Sequence, residues 1–401
     1  MRNLNVNFCG VDFVNPFTVA ASPSSDSRDK VERALEKGWG GIVFKTTSLP
    51  EYSPSLAKPY MAGLPFMGKP QSAFYNIDLI SERTIYEIQQ DITYFKSQYP
   101  DRVLIGSIMA SRYEDWVKLV ECLEDAGADM IECSMSCPQG EHSIRGDSQQ
   151  ASNNIPAANR QLMKETTKSI KDSIRKKTPL IVKLTPNVTD IIDIALGASE
   201  GGADAVCAID TVRGFIGIDL DTGYPRLNNN GYSTWGGLSG PAIKPIAMGC
   251  ISKIAKVLSI PVAGVGGIST WQDAAEFILL GAKNIQVCTA ISRYGFGMVE
   301  DLCKGLSGYI EQRNYESIEV MAGQSLKYIL DHSQLDLNNK VLCTIDEKTC
   351  IRCGSCVRAC WDAGFGALSQ DKGLFPQINK DICPGCGVCQ SVCAKNSITL
   401  Q

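Results

Sequence analysis

Two short runs near the end of the chain, "CIRCGSCVRAC" (350–360) and "CPGCGVCQSVC" (383–393), share the spacing C-x₂-C-x₂-C-x₃-C. No other feature of the chain restricts its fold so tightly. Three cysteines of such a run bind one four-iron cluster and the fourth binds the other. Two runs about thirty residues apart therefore predict a ferredoxin-like α+β unit built around two [4Fe–4S] clusters. The first cluster takes Cys350, Cys353, Cys356 and Cys393, and the second Cys383, Cys386, Cys389 and Cys360. Structural zinc favours paired C-x₂-C ligands, four to a site, and does not require the third and fourth cysteines at these spacings. The proline that commonly follows the fourth cysteine is replaced by Trp361 and Ala394, which alters turn shape rather than ligation.

The other nine of the 17 cysteines are scattered through residues 1–343. This change in density marks a boundary in a chain of 401 residues, longer than one hydrophobic core usually holds. The expected division is a domain over 1–310, a helical linker over 311–342 and the cluster domain over 343–401. A net charge of −4 argues against a general nucleic-acid binder. No apolar run approaches a membrane span, and the start "MRNLNVNFCG" has no long apolar region of a secretory signal. The expectation is a cytoplasmic protein, where thiols stay reduced and serve as ligands or in catalysis.

Before the boundary, eight apolar runs alternate with amphipathic stretches. The runs are "FTVAAS" (17–22), "GIVFKT" (41–46), "VLIGSIMA" (103–110), "MIECSMS" (130–136), "PLIVKLTP" (179–186), "AVCAIDT" (205–211), "PVAGVGGI" (261–268) and "NIQVCTA" (284–290). Near-continuous apolar strands are those covered on both faces. Eight of them, interleaved with helical patterns, predict an α/β chain with a (β/α)₈ TIM barrel; an open doubly wound sheet is the alternative. A barrel places its active site at the strand C-termini. Those ends supply Lys45, Ser107, Ser134, Ser136, Lys183, Asp210, Thr211 and Thr289. Lys183 ends an apolar strand, a costly place for a cation without an anionic partner.

An electron-transfer module serves a redox cofactor. "AGVGGIST" (263–270) joins a strand to a helix, late in the barrel, where phosphate sites recur, and Thr289 ends a neighbouring strand. No G-x-G-x-x-G opens a βαβ unit, so no nicotinamide site is expected within this chain.

The segments "KTTSLP", "SAFYNIDLI", "SIMAS", "SCPQG", "KLTPNVTDI", "GGLSG", "GVGGI" and "VCTA" stand in the order of the catalytic half of dihydropyrimidine dehydrogenases. The chain resembles that family over nearly its whole length, in particular the bacterial NAD-dependent type. Its barrel is also similar to class 1 dihydroorotate dehydrogenases. The resemblance implies FMN held by Ala20, Lys45, Thr46, Lys183, Gly240, Val265, Gly266, Gly267, Cys288 and Thr289. It implies a separate NADH-oxidising flavoprotein subunit, and a homodimer of this chain within a heterotetramer. A lysine beside the flavin would stabilise its electron-rich reduced ring.

Adding hydrogen across a C=C bond requires a hydride on one carbon and a proton on the other. The flavin supplies the first, and a positioned acid the second. In the family the cysteine of "SCP" is that acid, which here is Cys137. A thiol with a reference pKa of ~8.5 is still mostly protonated at neutral pH. Asn76, Ser136 and Thr211 match the family's substrate-binding positions. Ser134 and Asp210 stand where the family has asparagine, and Gln139 where it has histidine. An ionised aspartate only accepts hydrogen bonds, whereas an amide also donates. The expected function is reduction of uracil or thymine to the 5,6-dihydropyrimidine. The rivals are the same chemistry on another cyclic or conjugated substrate, and an electron-transfer subunit with no organic substrate.

Overall fold

The computed structural model describes residues 3–66, 69–135, 157 and 159–401, with backbone alone at 65, 66 and 69–72. The chain divides into two compact units, Met1–Ile329 and Leu330–Gln401. Among the described residues no helix is long and apolar enough to cross a membrane.

Each of the eight apolar runs coincides with a strand of the first unit, the last strand beginning two residues before its run. They are β1 (Phe17–Val19), β2 (Gly41–Val43), β3 (Val103–Ile108), β4 (Met130–Ser134), β5 (Leu180–Leu184), β6 (Ala205–Ala208), β7 (Val262–Val265) and β8 (Ala282–Val287). They form a closed barrel in the order β6-β7-β8-β1-β2-β3-β4-β5, every pair parallel. The open-sheet alternative is excluded. All six residues of β3 and all five of β5 are buried, as strands packed on both faces must be. Helices return the chain between strands, and their ends follow local chemistry. Thr84 and Glu87 form a capping box on Ile85–Gln98, and Gly127 at φ 80° terminates Tyr113–Ala126.

Two additions to the barrel were not legible as strands. Val6–Phe8 and Val11–Phe13 form a hairpin whose turn residues, Cys9 and Gly10, both have positive φ (56° and 82°). Its Phe13 packs against Gly41 at the start of β2, so the hairpin lies at the N-terminal end of the barrel. At the opposite end is a four-stranded antiparallel sheet, in the order Val212–Gly214, Gly236–Ser239, Lys69–Asn76 and Met61–Phe66. Within the segment expected to be a linker, Ile318 and Met321 are fully buried in the barrel core, so this part packs on the barrel.

The second unit has two short helices, Ser355–Asp362 and Val388–Ser391, and two strand pairs, Cys343–Ile345 with Ile398–Leu400 and Leu368–Ser369 with Gln377–Ile378. Its buried core comprises Cys343, Cys356, Cys360, Ala367, Leu368, Cys389 and Ile398. Four of these seven are cysteines, so the apolar core is too small to hold the unit by itself.

Candidate active site and cluster-ligand cysteines

Buried cations need partners, and among the described residues both buried lysines of the barrel have them. Lys45, just past β2, is 4% exposed. Its Nζ lies 3.0 Å from Asp78 Oδ1 and 3.5 Å from Asp26 Oδ2. Burial pushes the Asp78 carboxyl above the ordinary carboxylate range, while Lys45 pulls it back. Lys183 on β5 has Nζ 3.7 Å from Glu132 Oε1 on β4 and 3.4 Å from Gln286 Oε1 on β8. Gln286 in turn donates to Glu132 Oε2 at 2.9 Å. Burial opposes the Lys183 charge, but coupling to Cys207 and to the Glu132 and Asp210 carboxylates outweighs it, so the lysine titrates above its usual value. The anionic partner that Lys183 requires is thus a protein carboxylate. Glu132 and Gln286 were visible in the sequence as polar letters inside "MIECSMS" and "NIQVCTA".

A cavity of about 700 Å³ opens above these residues, within the range of small-molecule and cofactor sites. Lys45 and Lys183 line it, as do Ala20, Thr46 and Ser134, from the ends of β1, β2 and β4. Asp210 and Thr211 enter from beyond β6, Val265, Gly266 and Gly267 from β7, and Cys288 and Thr289 from beyond β8. Gly240 and Asn76 complete the predicted set. Every described residue of that set therefore borders one cavity. Ser136, Cys137 and Gln139 lie outside the described residues.

Polar contacts fix much of this lining. Asn76 Nδ2 donates to the Gly237 carbonyl at 3.1 Å, and its Oδ1 accepts from the Asp78 N–H at 3.3 Å. The Asp210 carboxylate accepts from the Thr211 N–H at 2.7 Å. Asn187 donates to the Thr211 carbonyl at 2.9 Å and accepts from the Arg213 N–H at 2.8 Å. This tether gives the "KLTPNVTDI" segment a structural task. The "GGLSG" segment has one too. A Cβ on Gly236 would lie 2.1 Å from the Asn76 carbonyl oxygen, and one on Gly237 would lie 2.3 Å from Thr211 Oγ1. Only glycine lets this strand close over the cavity. Asp78, Asn187, Tyr75 and Trp235 line the same cavity and were not anticipated.

The glycine turn after β7 has φ 131° at Gly266 and 76° at Gly267. The helix Trp271–Leu279 that follows does hold an anion at its N-terminus, but it is the helix's own. Asp273 accepts from the N–H groups of Ser269 (2.9 Å) and Thr270 (2.8 Å) and pairs with Lys244. A phosphate at this end of the cavity would find instead the glycine turn and Thr289, whose hydroxyl meets Ser239 Oγ at 2.9 Å.

In the second unit the two cysteine runs have matching backbones. Arg352 and Gly354 have φ 57° and 73°, and the equivalent Gly385 and Gly387 have 70° and 83°. The second left-handed residue of each pair, Gly354 or Gly387, precedes a short helix that carries the third cysteine of its run. Cys360, Cys383, Cys386 and Cys389 line one small cavity, so the fourth cysteine of the first run joins three of the second. Cys393 is in turn within electrostatic reach of Cys353 and accepts from the Ser397 N–H at 3.2 Å.

The dihydroorotate dehydrogenase family model matches residues 3–310, and a 4Fe-4S dicluster domain model matches residues 343–400. The NAD-dependent dihydropyrimidine dehydrogenase subunit PreA of Escherichia coli K12 is 36% identical over 407 residues, which cover 100% of this chain and 95% of that protein. The chloroplastic dihydropyrimidine dehydrogenase (NADP(+)) of Arabidopsis thaliana is 34% identical, covering 83% of this chain and 79% of its own length. The catalytic subunit of dihydroorotate dehydrogenase B (NAD(+)) from Pyrococcus abyssi is 34% identical, covering 81% of this chain and 99% of its own.

Proposed function

We propose, for a chain that belongs to the dihydroorotate dehydrogenase family and carries a 4Fe-4S dicluster domain, that it is the catalytic subunit of a dihydropyrimidine dehydrogenase. The chain is an oxidoreductase acting on CH–CH bonds, and its family binds FMN. The finer reading is reduction of uracil or thymine to the 5,6-dihydropyrimidine, with electrons from an NADH-oxidising partner. What carries it is the match to the Escherichia coli subunit over the whole chain, across both units.

The residues present fit FMN. The cavity is lined by two buried cations, a glycine turn and the Ser239–Thr289 hydroxyl pair. The Gly267 turn is tight: an added Cβ would meet Lys244 Cβ at 2.8 Å and the Gly240 carbonyl oxygen at 2.9 Å. Lys45, Lys183 and Thr46 would hold the ring. Ala20, Gly240, Val265, Gly266, Gly267, Cys288 and Thr289 would hold the remainder. When bound, FMN supplies hydride transfer. The chain itself supplies orientation and the proton. Asn76, Ser134, Ser136, Asp210 and Thr211 position the substrate, and Cys137 protonates the carbon opposite the hydride. The eight cysteines of the two runs would hold the two clusters, which would supply a route for electrons from the partner. The assembly is a homodimer of this chain within a cytoplasmic heterotetramer.

A second reading keeps the chemistry and changes the substrate. The Asp210 carboxylate borders the cavity beside Thr211. A pyrimidine carbonyl placed against it would lack a donor, at a cost of ~1–3 kcal/mol.

The test is anaerobic turnover of purified protein by dithionite with uracil, thymine and other cyclic enamides. Product from uracil or thymine supports the first reading; product from another substrate alone supports the second. No product from any of them, with FMN and about eight irons present, leaves an electron-transfer subunit and overturns both. The triple variant Ser134→Asn, Gln139→His and Asp210→Asn should improve uracil binding if the second reading holds.

A further inference from the structure

Lys183 stands at the cavity wall, but what holds it lies below the wall. On β4 the side chains of Glu132 and Ser134 share one face, because successive residues of a strand alternate. Ser134 borders the cavity, so Glu132 sits one layer deeper in the barrel, where it is 1% exposed. The Lys183 Nζ lies 3.7 Å from Glu132 Oε1 and 3.4 Å from Gln286 Oε1. Gln286, fully buried on β8, donates to the other Glu132 oxygen at 2.9 Å. Carboxylate, amide and ammonium thus form a closed triangle between β4, β8 and β5. Stability does not call for it. A buried ion pair often fails to repay its desolvation, and apolar side chains of similar volume serve a core as well or better. Two residues before Lys183, on the same face of β5, the barrel does use a buried isoleucine, Ile181.

We propose that Glu132, braced by Gln286, is a positioning residue of the flavin site: it holds the Lys183 ammonium at the cavity wall, where the charge makes the bound flavin easier to reduce. The proposal rests on the reading that FMN occupies this cavity with its ring at Lys183. Reduction adds negative charge to the ring, and a fixed cation beside it stabilises the reduced form more than the oxidised one. The titratable groups facing Lys183 are Cys207 on β6, Glu132 on β4, and Asp210 and Cys288 beyond the ends of β6 and β8. Burial alone would take the charge off the lysine, and Glu132 is the carboxylate that the barrel interior sets against it.

The experiment is anaerobic spectroelectrochemistry of FMN in the full, cofactor-loaded chain. Glu132→Gln keeps the shape of the side chain and removes its charge, so Lys183 loses its proton or turns from the wall. At a fixed potential the oxidised-to-reduced ratio of FMN should rise about tenfold, which for two electrons is about 30 mV. Glu132→Asp, which keeps a carboxylate, should shift less. A carboxylate with a structural role alone would leave the potential where it is, and one that only dilutes the lysine's charge would raise it. Either result overturns the proposal. In a Lys183→Met background Glu132→Gln should cause no further fall; a fall of the same size means that Glu132 does not act through the lysine, and overturns it too. The unaltered protein gives a test that needs no variant. With Lys183 charged in both redox states, two electrons bring one proton between about pH 8 and 10, and the potential falls by about 30 mV per pH unit. Twice that slope means that a second proton is taken up, and the proposal falls. This slope decides the matter if Glu132→Gln does not fold. A chain that keeps about eight irons but binds no FMN fails the reading of the cavity itself, and the proposal with it.

Discussion

The barrel and the cysteine unit assemble their chemistry in opposite ways. The eight cysteines of the two runs all lie between 350 and 393, and four of the seven core residues of that unit are cysteines. The cavity of the barrel collects residues from Ala20 to Ser292, over a core of aliphatic and aromatic side chains. Its two buried lysines already carry counter-charges, Asp26 and Asp78 for one and Glu132 for the other. Each cofactor therefore enters the stability of the chain at a different point. The clusters substitute for a core. The flavin site is a lining laid on a core that stands without it.

The largest test of that contrast is cofactor removal. Chelation of iron under reducing conditions should unfold residues 330–401 and expose them to limited proteolysis, because metal binding is folding energy in such a unit. Stripping FMN should leave the barrel folded, with a similar circular dichroism spectrum. A milder form is Cys356→Ala, which should lower iron from about eight to about four atoms per chain while FMN remains. Loss of FMN in the same variant would show that the two regions are coupled and would break the comparison.

Next in size is Cys137→Ala. Removing a general acid costs ~10²–10⁴-fold in turnover, with FMN and iron content unchanged. Cys137→Ser should retain some activity, since a hydroxyl donates but is a much weaker acid. Full turnover by Cys137→Ala would return the thiol to a structural role.

Glu132→Gln examines the barrel's own electrostatics. Lys183 is buried, and the substitution removes its counter-charge while keeping the size of the side chain. Breaking a buried pair on one side costs ~3–5 kcal/mol, because the remaining charge is uncompensated. Urea denaturation of the FMN-free protein should show a loss of about 3 kcal/mol. No change would mean that Gln286 and Asp210 suffice for Lys183, and that the barrel's charge network tolerates the loss of Glu132 without a cofactor.

The same contrast governs what could be read from the sequence. Cluster ligation is local, so spacing alone reveals it. The eight barrel strands are legible because burial on both faces leaves uninterrupted apolar runs, and strand-end polar residues follow once a barrel is assumed. The antiparallel sheet over the cavity was not legible. Its central pairing joins Asn76 to Gly237 across 161 residues, and a strand reading "GGLS" has the composition of a turn. Glu132 and Gln286 were in plain view inside strands, but which polar residues face one another across a barrel depends on register. Asp273 corrected the anion argument for the last glycine turn. A capping box three residues into a helix can fill the site that the helix dipole creates.

The smallest effect is carried by a pair of glycine substitutions that differ only in what surrounds them. A Cβ on Gly237 would lie 2.3 Å from Thr211 Oγ1 and 2.6 Å from Thr211 Cβ, so the strand over the cavity has to move away from Thr211. Overpacking of this kind costs ~1–3 kcal/mol. The displaced strand also carries the carbonyl that holds Asn76, so substrate KM should rise in Gly237→Ala while iron content stays constant. Gly249 lies in the helix Lys244–Val257, with no atom within 4 Å of an added Cβ. Gly249→Ala gains helix propensity and loses unfolded-state freedom, and should stabilise the chain by ~0.5–1 kcal/mol. Opposite signs in thermal denaturation would locate the strain at the cavity's cover. If both substitutions stabilise, the cover yields freely, and the glycines of "GGLSG" are not what lets that strand close over the site.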